Sequence, residues 1–352
     1  MRNFLAIIFL ILLSDFGLKA QTVHNNFVIT DKYICSLNDN GKLNFFDLEN
    51  GSSIEKEINS NQDISILTTD VEKNIVVLDK QNQIKRYNYL KNTWTILSKS
   101  KNVVTGIVFN SKNKCYLITN KGIEDAENQK ICFSKKSLNH QINYQTEWGK
   151  PYCYYIDKDD RIWLGFGYGE WGGNLFIFNT ISKNFEVPDL GNFRIELWPI
   201  KSFFEDESSV YLSSGLQHMM NSGIIIRFDN LKAYSVLESD SHWSKPTEKD
   251  RTKTWVSAEY IGPATYSKHN NSIYFYSQNG IFKGDKSTDL SKIENWKIIL
   301  QPKLNWKYGQ PDAVGSPMNV LKLEVLNENK IIFLSQNDGI GFYDNKELKM
   351  IK

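Results

Sequence analysis

Three carboxylates and two guanidinium groups sit in segments without strand character: Glu170, Glu196 and Asp312, with Arg194 and Arg251. Glycoside hydrolysis needs such a pair of carboxylates, one to protonate the leaving oxygen and one to attack or to activate water. Distance along the chain does not set distance in space, so a glycan-directed hydrolase or lyase stands as the second reading. Nucleophile chemistry has no support: the chain has no Gly-x-Ser-x-Gly elbow, no Ser-His-acid arrangement and no glycine loop to cradle a phosphate. His218 and His242 could share a metal, but two histidines fall short of a structural ligand set, and no metal or cofactor is expected.

Recognition has more material. The same segments carry Trp148, Tyr168, Trp171, Trp198, Trp243, Trp255, Trp306 and Tyr308. Tryptophan is a large amphipathic ring that earns a place on a loop by packing or by binding. With the charged residues and the two histidines, these aromatics form a candidate ligand surface. Its ligand is expected to be a glycan fragment or a segment of a partner protein.

The elements that position this surface follow from a repeated phrase: a Gly or Asn, alternating apolar residues, then an Asp or Asn. It begins at Gly41, Asn82, Gly122, Gly173, Gly223, Gly280 and Gly339, at steps of 41, 40, 51, 50, 57 and 59 residues. A second apolar run precedes each copy, for example Tyr33 to Leu37, Ile75 to Asp79 and Cys115 to Thr119. Each pair reads as a β-hairpin, and an outer strand often follows, as at Thr93 to Leu97, Lys232 to Leu237 and Trp296 to Leu300. No long segment has the 3.6-residue apolar period of a helix. A four-stranded unit cannot bury both of its faces alone, whereas seven bury one another in a ring. The fold class is therefore all-β, a seven-bladed β-propeller of four-stranded antiparallel blades, with residues 21–352 as one domain. The last unit has its own four strands, so the ring is expected to close without strand exchange.

In such a ring, the loops between second and third strands and those between blades emerge on one face. Nearly all the extra length falls there, in residues 134–150, 166–172, 188–199, 214–222, 239–254 and 301–317. Blades four to seven should therefore carry a crown that blades one and two lack.

In blade four, Asp160-Arg-Ile-Trp-Leu-Gly165 followed by Gly172-Gly-Asn-Leu-Phe-Ile-Phe-Asn179 resembles the two-component-regulator type of propeller repeat. The match covers residues 160–179 and fades in the other blades, where the Trp is replaced by Val77, Tyr116, Tyr211, Tyr274 or Phe333. The resemblance implies a propeller of the kind that senses extracellular ligands, often carbohydrate-related. A binding propeller, without the sensor-kinase role, is what the resemblance is expected to transfer. Ser287-Thr-Asp289 ahead of Trp296 lacks the spacing and the glycine of a sialidase-type Asp box and reads as a turn.

Arg2, an apolar run from Phe4 to Leu13 and the small residue Ala20 have the form of a secretory signal, with cleavage before Gln21. About ten apolar residues are too few for a spanning helix. Export to the periplasm or beyond is expected, with no membrane span afterwards. Losing Arg2, Lys19 and Asp15 changes 42 basic and 40 acidic residues to 40 and 39, a net charge of +1. So small a charge gives no general attraction to nucleic acid. A monomer is expected. Cys35, Cys115 and Cys153 fall inside predicted strands, and Cys132 belongs to the blade of Cys115 with a strand between, so the four are expected to stay mostly unpaired.

Overall fold

The structure is a computed structural model that describes residues 23–56, 58, 63–89, 91–218, 220–243, 255–305 and 319–352. The expected signal segment, residues 1–20, lies outside them.

Seven four-stranded antiparallel sheets form a ring, a seven-bladed β-propeller. They occupy residues 24–54, 64–99, 104–132, 153–186, 200–240, 264–300 and 320–351, each sheet in simple sequence order from the innermost strand outwards. The second strands are the best buried. Ile75–Asp79, Cys115–Thr119 and Ser272–Ser277 expose no residue, because neighbouring blades cover both faces. This is why they read as continuous apolar runs rather than alternating ones. Outer strands such as Thr93–Lys99 are largely exposed.

The repeated phrase is the third strand of every blade, and its two ends have separate physical causes. The opening glycine of blades three, six and seven has φ values of 129°, 133° and 85°. A Cβ there would lie 2.2, 2.4 or 2.0 Å from the carbonyl oxygen of Cys132, Leu300 or Ile351 on the fourth strand. The closing Asp or Asn caps the next turn. Asp47, Asn179 and Asp344 each accept two backbone N–H bonds through Oδ1, from Glu49 and Asn50, from Ile181 and Ser182, and from Lys346 and Glu347. The turns between first and second strands use the same device through Asp70, Asn110, Asp157 and Asp206.

The ring closes by packing. Phe27, Ile34 and Phe46 of blade one bury against Ile332, Leu334, Ile340, Phe342 and Ile351 of blade seven, and each of these two sheets is continuous in sequence. The innermost strands surround a central channel of about 850 Å³.

Two expectations are corrected. Residues 214–222, read as a loop, extend the ladder of blade five instead, with register from Ser214↔Ile224 to His218↔Met220. At the pair Gly215↔Gly223 the bare backbone makes room for Ile261 of the next connection. A Cβ would lie 2.3 Å from its carbonyl oxygen at Gly215 and 2.5 Å from its side chain at Gly223. Residues 239–254 likewise begin as strand, because Lys232–Asp240 continues the sheet and His242–Trp243 pairs with Trp255–Val256. All four cysteines are free and lie on strands, Cys115 and Cys132 being separated by Gly122–Asp125 as expected. Burial pushes the Cys115 thiol up to about 12, which keeps it protonated and inert.

Candidate functional site

The connection from blade four to blade five builds one wall of a cleft. It leaves blade four at Glu186, and Asp189 then joins the outer strand of blade five as a short parallel bridge. The Asp189 N–H donates to the Leu231 carbonyl at 2.9 Å and the Ala233 N–H donates to the Asp189 carbonyl at 2.8 Å. The chain then turns through a single 3-10 turn, Ile195–Leu197, whose Ile195 is buried and whose Glu196 backbone lies against Gly172. At Gly172 φ is 74°, and a Cβ would lie 2.1 Å from the Glu196 carbonyl oxygen, so only glycine allows this approach. A second 3-10 turn, Gly169–Trp171, carries Glu170 over the same space.

The result is a cleft of about 580 Å³ between these turns and the sheet of blade five. Trp198, Ile224 and Ile226 give it an apolar floor, while Glu170, Arg194, Tyr234, Glu238 and Asp240 supply polar and aromatic groups around it. Arg194, Leu197, Tyr234, Glu238 and Asp240 are exposed, so the rim is open to solvent. Arg227 lies 5.5 Å from the Tyr234 ring and Lys232 lies 5.7 Å from it.

Of the residues singled out in the sequence, Glu170, Arg194 and Trp198 meet in this cleft. Trp198 is also a packing residue, 8% exposed in the core that joins Trp163 and Ile177 to Phe203, Leu212 and Phe228. Trp171 is 62% exposed and sits outside the cleft lining. Glu196 is half-buried and is likewise absent from the lining. Tyr168 faces the other way: its hydroxyl bonds to that of Tyr144, and its ring stacks 6.3 Å from Phe166. Trp148 is a core residue, 3% exposed, with Nε1 donating to the Ser134 carbonyl at 3.0 Å and its ring 4.8 Å from Phe176. His218 ends the strand Val210–His218, and His242 is exposed with Nδ1 3.1 Å from the Asp240 carbonyl oxygen. Trp243 and Trp255 are backbone partners in the short ladder. Arg251, Trp306, Tyr308 and Asp312 lie outside the described residues. Of the acid set, Glu170 and Glu196 sit on two neighbouring 3-10 turns, while Asp312 lies outside the described residues. The turn read at Ser287-Thr-Asp289 is found, with Asp289 Oδ1 holding the Ser291 N–H at 3.2 Å.

Tyr234, Glu238 and Asp240 were not anticipated. They lie on the strand Lys232–Asp240, whose earlier part was read as an outer strand and not as a binding element. A signal was present, since the polar residues near its end occupy exposed positions of an unusually long outer strand.

No family model matches the chain, and no curated protein matches it. Solved structures do. The computationally designed Ika8 protein aligns with a TM-score of 0.52 at 12% identity, over 91% of this chain and 83% of its own. A structure described as the extracellular domain of a hybrid two-component system, BT3049 from B. thetaiotaomicron, aligns with a TM-score of 0.52 at 16% identity, over 93% of this chain. PorZ, a bacterial surface component of the type-IX secretion system of Porphyromonas gingivalis, aligns with a TM-score of 0.52 at 12% identity, over 95% of this chain. This chain spans 40% of the BT3049 chain and 38% of the PorZ chain. At such identities the likeness is one of fold, and the fold shared with all three is the β-propeller.

Proposed function

We propose that this is an exported binding propeller that takes a glycan fragment in the cleft between blades four and five. The observation that carries the reading is the convergence of Glu170, Arg194 and Trp198 from the blade-four side with Tyr234, Glu238 and Asp240 on the outer strand of blade five. Aromatic rings offer flat apolar faces to the C–H faces of a sugar, and carboxylates with a guanidinium hold hydroxyl groups through charge-assisted bonds. A volume of about 580 Å³ is in the range of small-ligand sites. Export rests on the Arg2 to Ala20 segment. The extracellular domain and the surface component among the structures of like fold are in keeping with it. Among the described residues no helix is long and apolar enough to cross a membrane.

A second reading has its own support. The outer strand of blade five is nine residues long, whereas those of blades one, three and four have two, two and three. Asp189 bridges to one end of it at Lys232, so an extended segment of a partner protein could add along the remainder by strand pairing. A glycan array probed with residues 21–352, followed by calorimetry on any hit, tests the first reading. Binding that falls at least tenfold in both Arg194→Ala and Glu238→Ala supports the glycan cleft. Glycan binding indifferent to both variants refutes this location, and a protein-only ligand lost on Ser235→Pro establishes the strand-pairing alternative.

A further inference from the structure

The central channel holds a lysine set against aromatic rings, Lys201. Lys201 is the second residue of the innermost strand of blade five, Ile200–Glu205, and lines the channel near the crown-side end, where the connection from blade four enters the ring. Its Nζ lies 4.8 Å from the centre of the Tyr152 ring and 5.9 Å from that of Tyr260. Tyr152 and Cys153 share the channel wall with it, while Tyr260 is buried behind. Among the described residues no carboxylate pairs with Lys201. The other lysine on the channel wall in an inner strand, Lys322, is satisfied by contrast: its Nζ donates to the Phe27 carbonyl at 2.9 Å and lies 3.5 Å from Glu324.

Lys201 is half-buried, and its ammonium has given up part of its hydration against two aromatic rings without gaining a counter-charge within ion-pair distance. Loss of solvation pushes the Lys201 amine down to about 8, with the neighbouring Cys153 thiol acting weakly the other way. Tyr152, Cys153 and Tyr260 stand beside it, loss of solvation pushing the Cys153 thiol and the Tyr260 hydroxyl up, and Lys150, Glu205, Lys322 and Glu324 line the same channel. A channel of about 850 Å³ leaves room for a molecule of sugar-acid size.

We propose that the channel is a second binding site, one that takes a small carboxylate with its oxygens on Lys201 Nζ and its body against the Tyr152 ring. The anion supplies the charge that the protein leaves out, and the site is separate from the cleft of blade five. The cation–π contacts place the amine without neutralising it, and among the described residues no carboxylate lies within ion-pair distance of it, although Glu205 and Glu324 share the channel wall.

The test uses lysine-labelled residues 21–352 and follows the Lys201 side-chain resonance by NMR through a pH titration. Glucuronate and benzoate, each at 10 mM, serve as the sugar-acid and aromatic-acid probes, and glucose serves as the neutral control. Support is a rise of the Lys201 titration midpoint by one unit or more with either acid and no movement with glucose; the acid that acts identifies the kind of body the channel admits. By calorimetry the same acid should bind at least tenfold more weakly to Lys201→Gln, with Lys201→Arg retaining most of the affinity. An unmoved midpoint with both acids overturns the proposal, as does carboxylate binding that survives Lys201→Gln. The wild-type midpoint needs no variant to fold, and Arg194→Ala, which disables the cleft, should leave it unchanged.

Discussion

Blade two and blade five are built on the same interior but differ at one edge. In blade two the second strand, Ile75–Asp79, ends in a tight turn held by Asp79 Oδ1, which accepts the Gln81 and Gln83 N–H groups at 2.9 Å each. In blade five the corresponding hairpin runs on to His218↔Met220, and the connections on either side of the blade are the long ones that shape the cleft. The opposite edges of the two blades remain alike, with Asp70 and Asp206 capping the first turn in the same way. The comparison teaches that this ring confines its variation to one face. Loops lengthen there at small entropic cost, about 0.6 kcal/mol per doubling, because the buried faces between blades are untouched.

The comparison breaks most visibly if a crown tryptophan proves dispensable to the core. Trp198 lines the cleft and also packs in the core between blades four and five, so Trp198→Ala should destabilise by about 3–5 kcal/mol, read as a lowered urea midpoint at unchanged slope. A loss below about 1 kcal/mol would mean that the blade-four connection is decoration rather than a wedge between blades.

The next effect probes the edge that the two blades share. Burial works to raise the Asp206 carboxyl, but bonds from Lys286, from the Tyr211 hydroxyl at 2.7 Å and from the Ser208 and Ser209 amides at 2.7 and 2.8 Å outweigh it and hold it well below the usual carboxylate range. A depressed carboxyl stabilises the fold above its unfolded value near 3.9, and this contribution is lost as pH falls towards the folded value. Asp206→Asn should therefore cost about 1.5–3 kcal/mol at pH 7 and flatten the decline of thermal stability below about pH 4. An unchanged acid limb would remove Asp206 as its source.

At the edge where the blades diverge, Gly172→Ala should cost about 1–3 kcal/mol from backbone strain alone and displace the Glu196 turn from the cleft. If the loss of stability comes without any weakening of a cleft ligand, the two 3-10 turns do not act together. The smallest effect is expected at Trp171, 62% exposed, where Trp171→Ala should stay within about 0.5 kcal/mol in thermal melts. A larger loss would place part of the core outside the blade interfaces.

Much of the fold was legible because its cause is local. The phrase repeats because in blades three, six and seven the third strand opens on a residue without Cβ where it passes the fourth, and because an Asx side chain, such as Asn179, caps the turn that follows; both causes are written as residue types. Seven such phrases with no helical period lead to the seven-bladed ring. Side-chain direction is not local in that sense. Trp148 and Trp198 share a loop context with Trp171, yet the first two turn inward against Phe176 and Trp163, and only the packing of neighbouring blades decides this. Residues 214–222 read as a loop, and only the packing of Ile261, from the connection to blade six, against Gly215 and Gly223 shows why the ladder there carries two glycines. The gathering of Glu170, Arg194 and Glu238, and the isolation of Lys201 between Tyr152 and Tyr260, depend on curvature of the ring, which brings together residues from different blades. Composition and spacing thus determined the elements and their number, because backbone geometry at turns is set by neighbours in sequence. The sites were decided by tertiary structure, because burial and loss of solvation depend on neighbours in space.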